Sequence, residues 1–271
     1  MNKLHVAMDE SDYSRRGLRL GARLAAQSGA ALSLVSVVAE PARAEPRRAS
    51  LAAALEEEGA TAEVTVLTGD SAKDALAALL DDDQAGLCMS AHGRRPVPEM
   101  LIGSVTAGVV RRAPRPVFLC GPRYAPDRHE RVETIMVCVD GSRLSEAILP
   151  HALALSARFG ARLQLLQVID VSAAAAVPRD GGHADVMESG YLHGLARRLG
   201  HEHGVEVDWE VLHGDPADAI VGYLADSHNA MLAMTTHGRS GLSQVVAGSV
   251  SHEVLHEACC PVAVYRPADR G

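Results

Sequence analysis

The sequence predicts an α/β fold made twice over, on three observations. Short apolar runs of strand length alternate with stretches whose apolar residues recur at helical spacing, the pattern of a parallel sheet covered by helices on both faces. A unit of strand, glycine-bearing loop and helix start occurs twice, at Ser90-Ala-His-Gly93 to Ser104 and at Thr235-Thr-His-Gly238 to Ser249. The landmarks of the two halves also recur at fixed offsets. Gly93 and Gly238, Gly103 and Gly248, Gly69-Asp70 and Gly214-Asp215, and Pro116-Val117 and Pro261-Val262 all lie 145 residues apart. Asp9 and Asp140, Ser11 and Ser142, Gly29 and Gly160, and Val37 and Val168 lie 131 apart. The offset changes once, by 145 − 131 = 14 residues, between Val37 and Gly69, which places an insertion in the second half around 171–182. Repetition of this kind marks tandem copies of one βαβαβ-type domain, here 1–123 and 132–271.

Taken in order, Leu4–Met8 reads as a first strand ending at Asp9-Glu-Ser11. Ser14–Ser28 has helical spacing, with Leu18, Ala22, Ala25 and Ala26 as its inner face and Gly29 as its stop. Ala31–Val38 is a continuous apolar strand of the kind buried on both faces. Residues 40–50, with Pro41 and Pro46, read as loop, and Ser50–Glu58 as a short helix. Glu63–Leu67 alternates like a strand, Ala72–Leu80 is a helix, and Gly86–Met89 is the strand before the first glycine loop. Val105–Arg112 and Pro116–Cys120 close the half as helix and edge strand. The stretch 121–131 is polar, holds two prolines and reads as a linker. The pattern then restarts with Thr134–Val139, ending at Asp140-Gly-Ser142. Ala230–Met234 is the strand before the second loop, and Pro261–Tyr265 is the last edge strand.

Composition bounds the function. With 47% hydrophobic and 22% charged residues in 271, the chain fits a soluble globular protein. A formal net charge of −8 argues against a general nucleic-acid surface, which needs clustered Lys and Arg. The first residues lack the apolar run of a signal peptide, and no stretch approaches the roughly 20 apolar residues of a membrane span, so a cytoplasmic protein without membrane partners is expected. Five cysteines without framework spacing are expected to be reduced and mostly buried.

The chemistry sits in the loops. In a doubly wound sheet, ligands bind beyond the carboxyl ends of the strands, where Asp9, Asp140 and both glycine loops fall. Gly238 permits close backbone approach. Gly248 and Ser249 stand at a helix start whose free N–H groups favour an anion, and the Ser249 hydroxyl suits either a cap or a phosphate contact. His237 either touches phosphate or orients the loop, and Arg239 either partners phosphate or lies on the solvated surface. His252 and His256 lie one turn apart, but their counterparts Ala107 and Arg111 do not repeat the pair, so a solvated helix face is expected rather than a metal site.

These residues resemble the universal stress protein family in its tandem form, over almost the whole chain. The marks are Met8-Asp9-Glu-Ser11, Val139-Asp140-Gly-Ser142, the turn Gly214-Asp215-Pro216, and nine residues between the loop glycines. The resemblance implies a Rossmann-like (adenine nucleotide alpha hydrolase-like) fold, a mainly parallel five-stranded sheet in each half, and ATP, with or without Mg²⁺, as ligand. It implies that Asp140 contacts the adenine, with Ser142 on the same turn, that Val168 lines the base pocket, and that Gly238, Gly248, Ser249 and Val250 hold ribose and phosphates. Asp9, Val37, Gly93, Gly103, Ser104 and Val105 match in the first half. Both halves depart at the first motif glycine, which is Ser90 in one and Thr235 in the other. Pro96 and Pro98 remove two donors from the first loop, so the second half is expected to be the better site. The resemblance further implies that the halves pair through their last strands; a homodimer of the whole chain is left open. No P-loop or other catalytic motif is present and no catalytic residue is expected: the chain reads as a nucleotide-binding stress or signalling module, the alternatives being a weak ATPase or a ligand-free interaction protein.

Overall fold

The computed structural model describes residues 1–9, 11–92, 102–170, 182–237 and 248–267, the stretch 182–188 by its backbone alone. In the first half, strands β1 (Lys3–Ala7), β2 (Ala31–Val38), β3 (Glu63–Thr68), β4 (Ala85–Ser90) and β5 (Val117–Cys120) alternate with helices α1 (Asp12–Ser28), α2 (Ala44–Glu57), α3 (Ala72–Ala78) and α4 (Ser104–Arg112). The second half repeats them. Its strands are β6 (Thr134–Cys138), β7 (Arg162–Ile169), β8 (Val207–His213), β9 (Ala230–Thr235) and β10 (Val262–Tyr265). Its helices are α5 (Arg143–Glu146), α6 (Leu149–Phe159), α7 (Gly182–His203), α8 (Pro216–Ala225) and α9 (Ser249–Glu257).

All ten strands form one sheet in the order β3-β2-β1-β4-β5-β10-β9-β6-β7-β8. Every ladder is parallel except β5 with β10, where the halves meet antiparallel. In that ladder Phe118 faces Ala263, its own counterpart at offset 145, and Val117 and Leu119 face Val264 and Val262. A local two-fold therefore passes through the Phe118–Ala263 pair. Two apolar layers run the full length of the sheet. One joins α1 and α2 to α6 and α7, through residues such as Leu18, Leu51, Phe159 and Leu195. The other joins α3 and α4 to α8 and α9, through Leu76, Val109, Ile220 and Leu255. The halves thus share their core rather than hanging from a tether.

Three sequence expectations change. Helix α2 starts at Ala44, inside the stretch read as loop, because Pro46 falls in the first turn, where its missing N–H has no helical partner to lose. The inner face of α1 is Leu18, Gly21, Leu24 and Ala25, while Ala22 is half-buried and Ala26 exposed. A Cβ at Gly17 would stand 3.3 Å from the Ser90 backbone nitrogen, and one at Gly21 would collide with Val6, so two glycines let this helix lie against the sheet. The third change is the linker. Residues 121–132 form a packed strap with Tyr124 and His129 each 3% exposed. Arg16, Arg23 and Gln27, along α1, donate to the carbonyls of Pro122, Pro126 and Val132. The Ala125 N–H reaches the Cys259 carbonyl at 2.8 Å, and the Asn229 N–H reaches that of Arg128 at 2.9 Å.

The expected insertion lies mostly outside the described residues; beside it, α7 has 22 residues where α2 has 14. Gly29 and Gly160 end their helices at φ 66° and 63°, the left-handed conformation a C-terminal glycine supplies. All five cysteines are free thiols, with Cys88, Cys120 and Cys260 buried and Cys138 and Cys259 half-buried.

Candidate functional site

The ends of β1 and β6 are turned by the same device. Asp9 Oδ1 accepts from the Ser11 N–H at 2.9 Å and from its hydroxyl at 2.5 Å. Asp140 Oδ1 accepts from the Ser142 N–H at 2.9 Å. Each serine caps the following helix, taking the N–H of Ser14 at 3.3 Å and of Ser145 at 3.1 Å. Both aspartates therefore hold the turn that presents them at the strand ends.

The glycine loops are stapled alike in both halves. The Ala91 N–H bonds the Cys120 carbonyl and the Thr236 N–H that of Tyr265, both at 2.9 Å. Across each loop, the Gly103 N–H returns to the Ala91 carbonyl at 2.8 Å and the Gly248 N–H to the Thr236 carbonyl at 2.7 Å. The side chains that replace the first motif glycine have work to do: Ser90 Oγ donates to the His92 carbonyl at 2.6 Å, and Thr235 Oγ1 to the His237 carbonyl at 2.7 Å. Gly103 and Gly248 are the N-caps of α4 and α9, at φ −61° and −65°, and supply no side-chain cap. The first N–H groups of both helices thus have no partner within the helix. Ser249 is the first helical residue and does not cap, which corrects one of the two roles expected of its hydroxyl. At Gly248 the backbone is one any residue adopts, and a Cβ there would meet the Thr236 carbonyl oxygen at 3.4 Å.

In the first half these elements border a half-open cavity of about 470 Å³. Asp9, Val37, Gly103, Ser104 and Val105 all line it; Gly93 lies outside the described residues. Met8, Val35, Leu76 and Met89 give it apolar walls, and the α4 N-terminus closes one end. In the second half, sheet order sets the ends of β6, β7 and β9 side by side, which brings Asp140 and Ser142, Val168, and Thr235 and His237 to one edge. Gly248, Ser249 and Val250 begin α9 beside them, while Gly238 and Arg239 lie outside the described residues.

Sequence reasoning singled out His237 but missed His92, its counterpart at offset 145, which lines the first cavity. It also missed Ser36 on the cavity wall, whose hydroxyl donates to the Met8 carbonyl at 2.7 Å and accepts from Arg47 Nη1 at 3.1 Å. Arg47 is 5% exposed and comes from the stretch misread as loop, so no sequence signal pointed to it. His252 and His256 each keep part of their surface open to solvent, with 35% of the His256 side chain exposed. Both are half-buried, and the His256 ring meets that of His92 edge to face, centroids 5.9 Å apart. Burial lowers the His252 pKa, and the neighbouring His256 and His92 lower it further. Among the described residues no three His, Cys, Asp or Glu side chains cluster as metal ligands.

The model of the universal stress protein family matches residues 1–121 and 131–266. A universal stress protein of Methanocaldococcus jannaschii is 30% identical over 137 residues, 49% of this chain and 81% of the relative. One of Mycobacterium tuberculosis is 30% identical over 182 residues, 66% of this chain but only 60% of the relative's length. One of Mycolicibacterium smegmatis is 28% identical over 292 residues, covering 97% of this chain and 96% of its own. Among solved structures, a universal stress protein from Archaeoglobus fulgidus superposes with a TM-score of 0.68 at 20% identity, over 98% of this chain and 99% of that one.

Proposed function

The chain belongs to the universal stress protein family as a tandem pair of domains, and from that premise we propose that it binds ATP and serves as a stress-response or signalling module rather than a dedicated catalyst. One observation carries the reading: the cavity of about 470 Å³ in the first half is lined both by apolar side chains and by an uncapped helix N-terminus. An adenine fits between Met8, Val37 and Leu76. Phosphate oxygens fit the N–H groups that open α4, where the helix dipole favours negative charge. Asp9 lines the same cavity, and its carboxylate would accept from a ribose hydroxyl or the adenine amino group. The size lies within the range of small-molecule sites, about 300–1,000 Å³. Mg²⁺ would arrive on the nucleotide. The same turn, staples and uncapped helix recur around Asp140 and Gly248, so the proposal extends to the second half. The antiparallel ladder of β5 with β10 supports intrachain pairing of the halves as part of the same reading.

The test is to denature the purified protein, separate the supernatant by anion exchange and count adenine nucleotide per chain. The expected result is close to two after saturation with ATP and Mg²⁺, falling to one in Gly248→Val. A count near one that vanishes in Gly248→Val would confine the ligand to the second half. No nucleotide before or after addition of ATP would overturn the reading and leave a ligand-free interaction protein.

A further inference from the structure

We infer that the first-half site is completed by the second half: His256 of α9 is a positioning residue that fixes the His92 ring on the wall of the first cavity. The inference rests on the nucleotide reading of that cavity. His92 is 8% exposed and stands where the first glycine loop leaves the sheet. Its backbone is held by the Ser90 hydroxyl, which donates to its carbonyl at 2.6 Å. Its ring is held by two others. Tyr13 of α1 lies on one side with centroids 6.2 Å apart, and His256 meets it edge to face at 5.9 Å and 76°. Both distances lie in the range where ring pairs attract. His256 is itself anchored: its Nδ1 is 2.7 Å from Glu257 Oε1, and Glu257 Oε2 is 3.0 Å from Arg123 Nε on the strap. Helix α9 packs tightly on the strap: the Leu255 carbonyl abuts Gly121 closely enough that no Cβ would fit there.

The second half solves the same problem differently. His237, the counterpart of His92, has its Nδ1 2.8 Å from the Thr236 hydroxyl, a support from its own half. The counterpart of Thr236 is Ala91, which has no hydroxyl to offer. The counterparts of His252 and His256 are Ala107 and Arg111, and Arg111 is exposed. One loop histidine is met by a hydroxyl of its own half, and the other is flanked by Tyr13 of its own half and by His256 from across the joint. A ligand in the first cavity contacts a wall to which the other half contributes the His256 ring.

The experiment is photolabelling of the full chain with 8-azido-ATP across a concentration series, followed by peptide mapping that scores each half separately. His256→Ala is expected to weaken first-half labelling by at least about twofold and at most about tenfold, the full worth of one ring–ring contact setting the ceiling, with second-half labelling unchanged. His256→Phe, which restores an edge-to-face ring without a titrating nitrogen, is expected to return the first half to within about twofold of the unaltered chain. Thermal melts of both variants exclude loss of fold as the cause. Unchanged first-half labelling in His256→Ala, equal loss in both halves, or failure of Phe to rescue would each overturn the assignment while leaving nucleotide binding intact. Absence of first-half labelling in the unaltered chain would overturn the assignment and the first-half nucleotide reading together.

Discussion

Gln27 offers the sharpest test of how the two halves are joined. Its side-chain Nε2 donates to the Val132 carbonyl at 2.8 Å and to the Phe159 carbonyl at 2.9 Å, while its Oε1 accepts the Val132 N–H at 2.7 Å. One amide on α1 thus satisfies three backbone groups of the second half and the strap, and Val132 is 3% exposed. Replacing it by alanine leaves these groups without a partner. At about 1 kcal/mol for each bond lost, and more where water cannot replace it, Gln27→Ala is expected to lower stability by about 3 kcal/mol. Gln27→Glu is the informative companion. It keeps an oxygen for the Val132 N–H but turns a carboxylate oxygen towards two carbonyls, so it is expected to be worse than alanine at pH 7. It should recover as pH falls, beginning above the ordinary Glu range because the fold disfavours the carboxylate and raises its pKa, and completing at about 4.3, where the protonated carboxyl donates again. The assay is urea unfolding followed by far-ultraviolet circular dichroism and by the fluorescence of Trp209, the one tryptophan of the chain, which lies on β8 in the second half. The two probes should coincide in the unaltered chain and separate in Gln27→Ala as the halves lose their coupling. A loss below about 0.5 kcal/mol in Gln27→Ala, or a Gln27→Glu chain as stable as the parent at pH 7, would refute the argument.

Two further outcomes are expected. Gly121→Ala places a Cβ on the Leu255 carbonyl, a backbone atom with little room to yield, and should cost about 2–4 kcal/mol in a thermal or urea melt; a neutral substitution would show that the strap and α9 move apart freely. His129 is 3% exposed, and burial, with Arg128 and His228 nearby, lowers its pKa from 6.5 to about 4. The folded state therefore binds fewer protons than the unfolded one between these values, so its stability is complete above pH 6.5 and declines as pH falls towards 4, by about 3 kcal/mol in all. Urea midpoints measured from pH 7.5 to 4 should show that decline, and His129→Gln should remove this part of it.

The fold was readable because its signals are local and doubled. Strand length, helix stops at Gly29 and Gly160, and offsets of 131 and 145 each occur within a few residues of chain or between two copies of it. The site residues that follow from those offsets fall together, and Asp9, Val37, Gly103, Ser104 and Val105 line one cavity. What escaped has no local signature. Pro46 looked like a helix breaker because its position in the first turn depends on where the helix begins. Arg47 reads as a surface charge until Ser36 is found beneath it. The polar strap hides Tyr124 and His129, because burial there comes from the elements it packs against, α1 through Arg23 and the end of α8 through Arg128, rather than from the strap's own composition. His92 was within reach of the repeat argument, but its ring partner lies 164 residues along the chain, at a position the repeat does not duplicate.

Some of the positions where the copies differ lie where they touch. The Phe118–Ala263 pair shows that the backbone keeps a two-fold at the centre of the joint. Around that axis the side chains abandon it. Gln27 grips the strap, while its counterpart is Arg158; Gly121 admits the Leu255 carbonyl, while its counterpart is Arg266. His256 supports His92, while its counterpart is the exposed Arg111. A pair of identical domains meeting across a true two-fold would have to make each contact twice or not at all. Here each contact is made once, and the two sides carry different residues for it. Such an interface favours one partner for each half, and that partner is supplied at high effective concentration by the strap of the same chain. Two consequences follow for separately expressed halves. Neither should form with itself the joint that it forms with the other, and the first half alone should lose His92's support from α9 while the second keeps its own at Thr236. Mixing the two should restore one-to-one pairing in analytical ultracentrifugation; homodimers of equal strength from either half would show that the asymmetry at Gln27, Gly121 and His256 does not govern the joint.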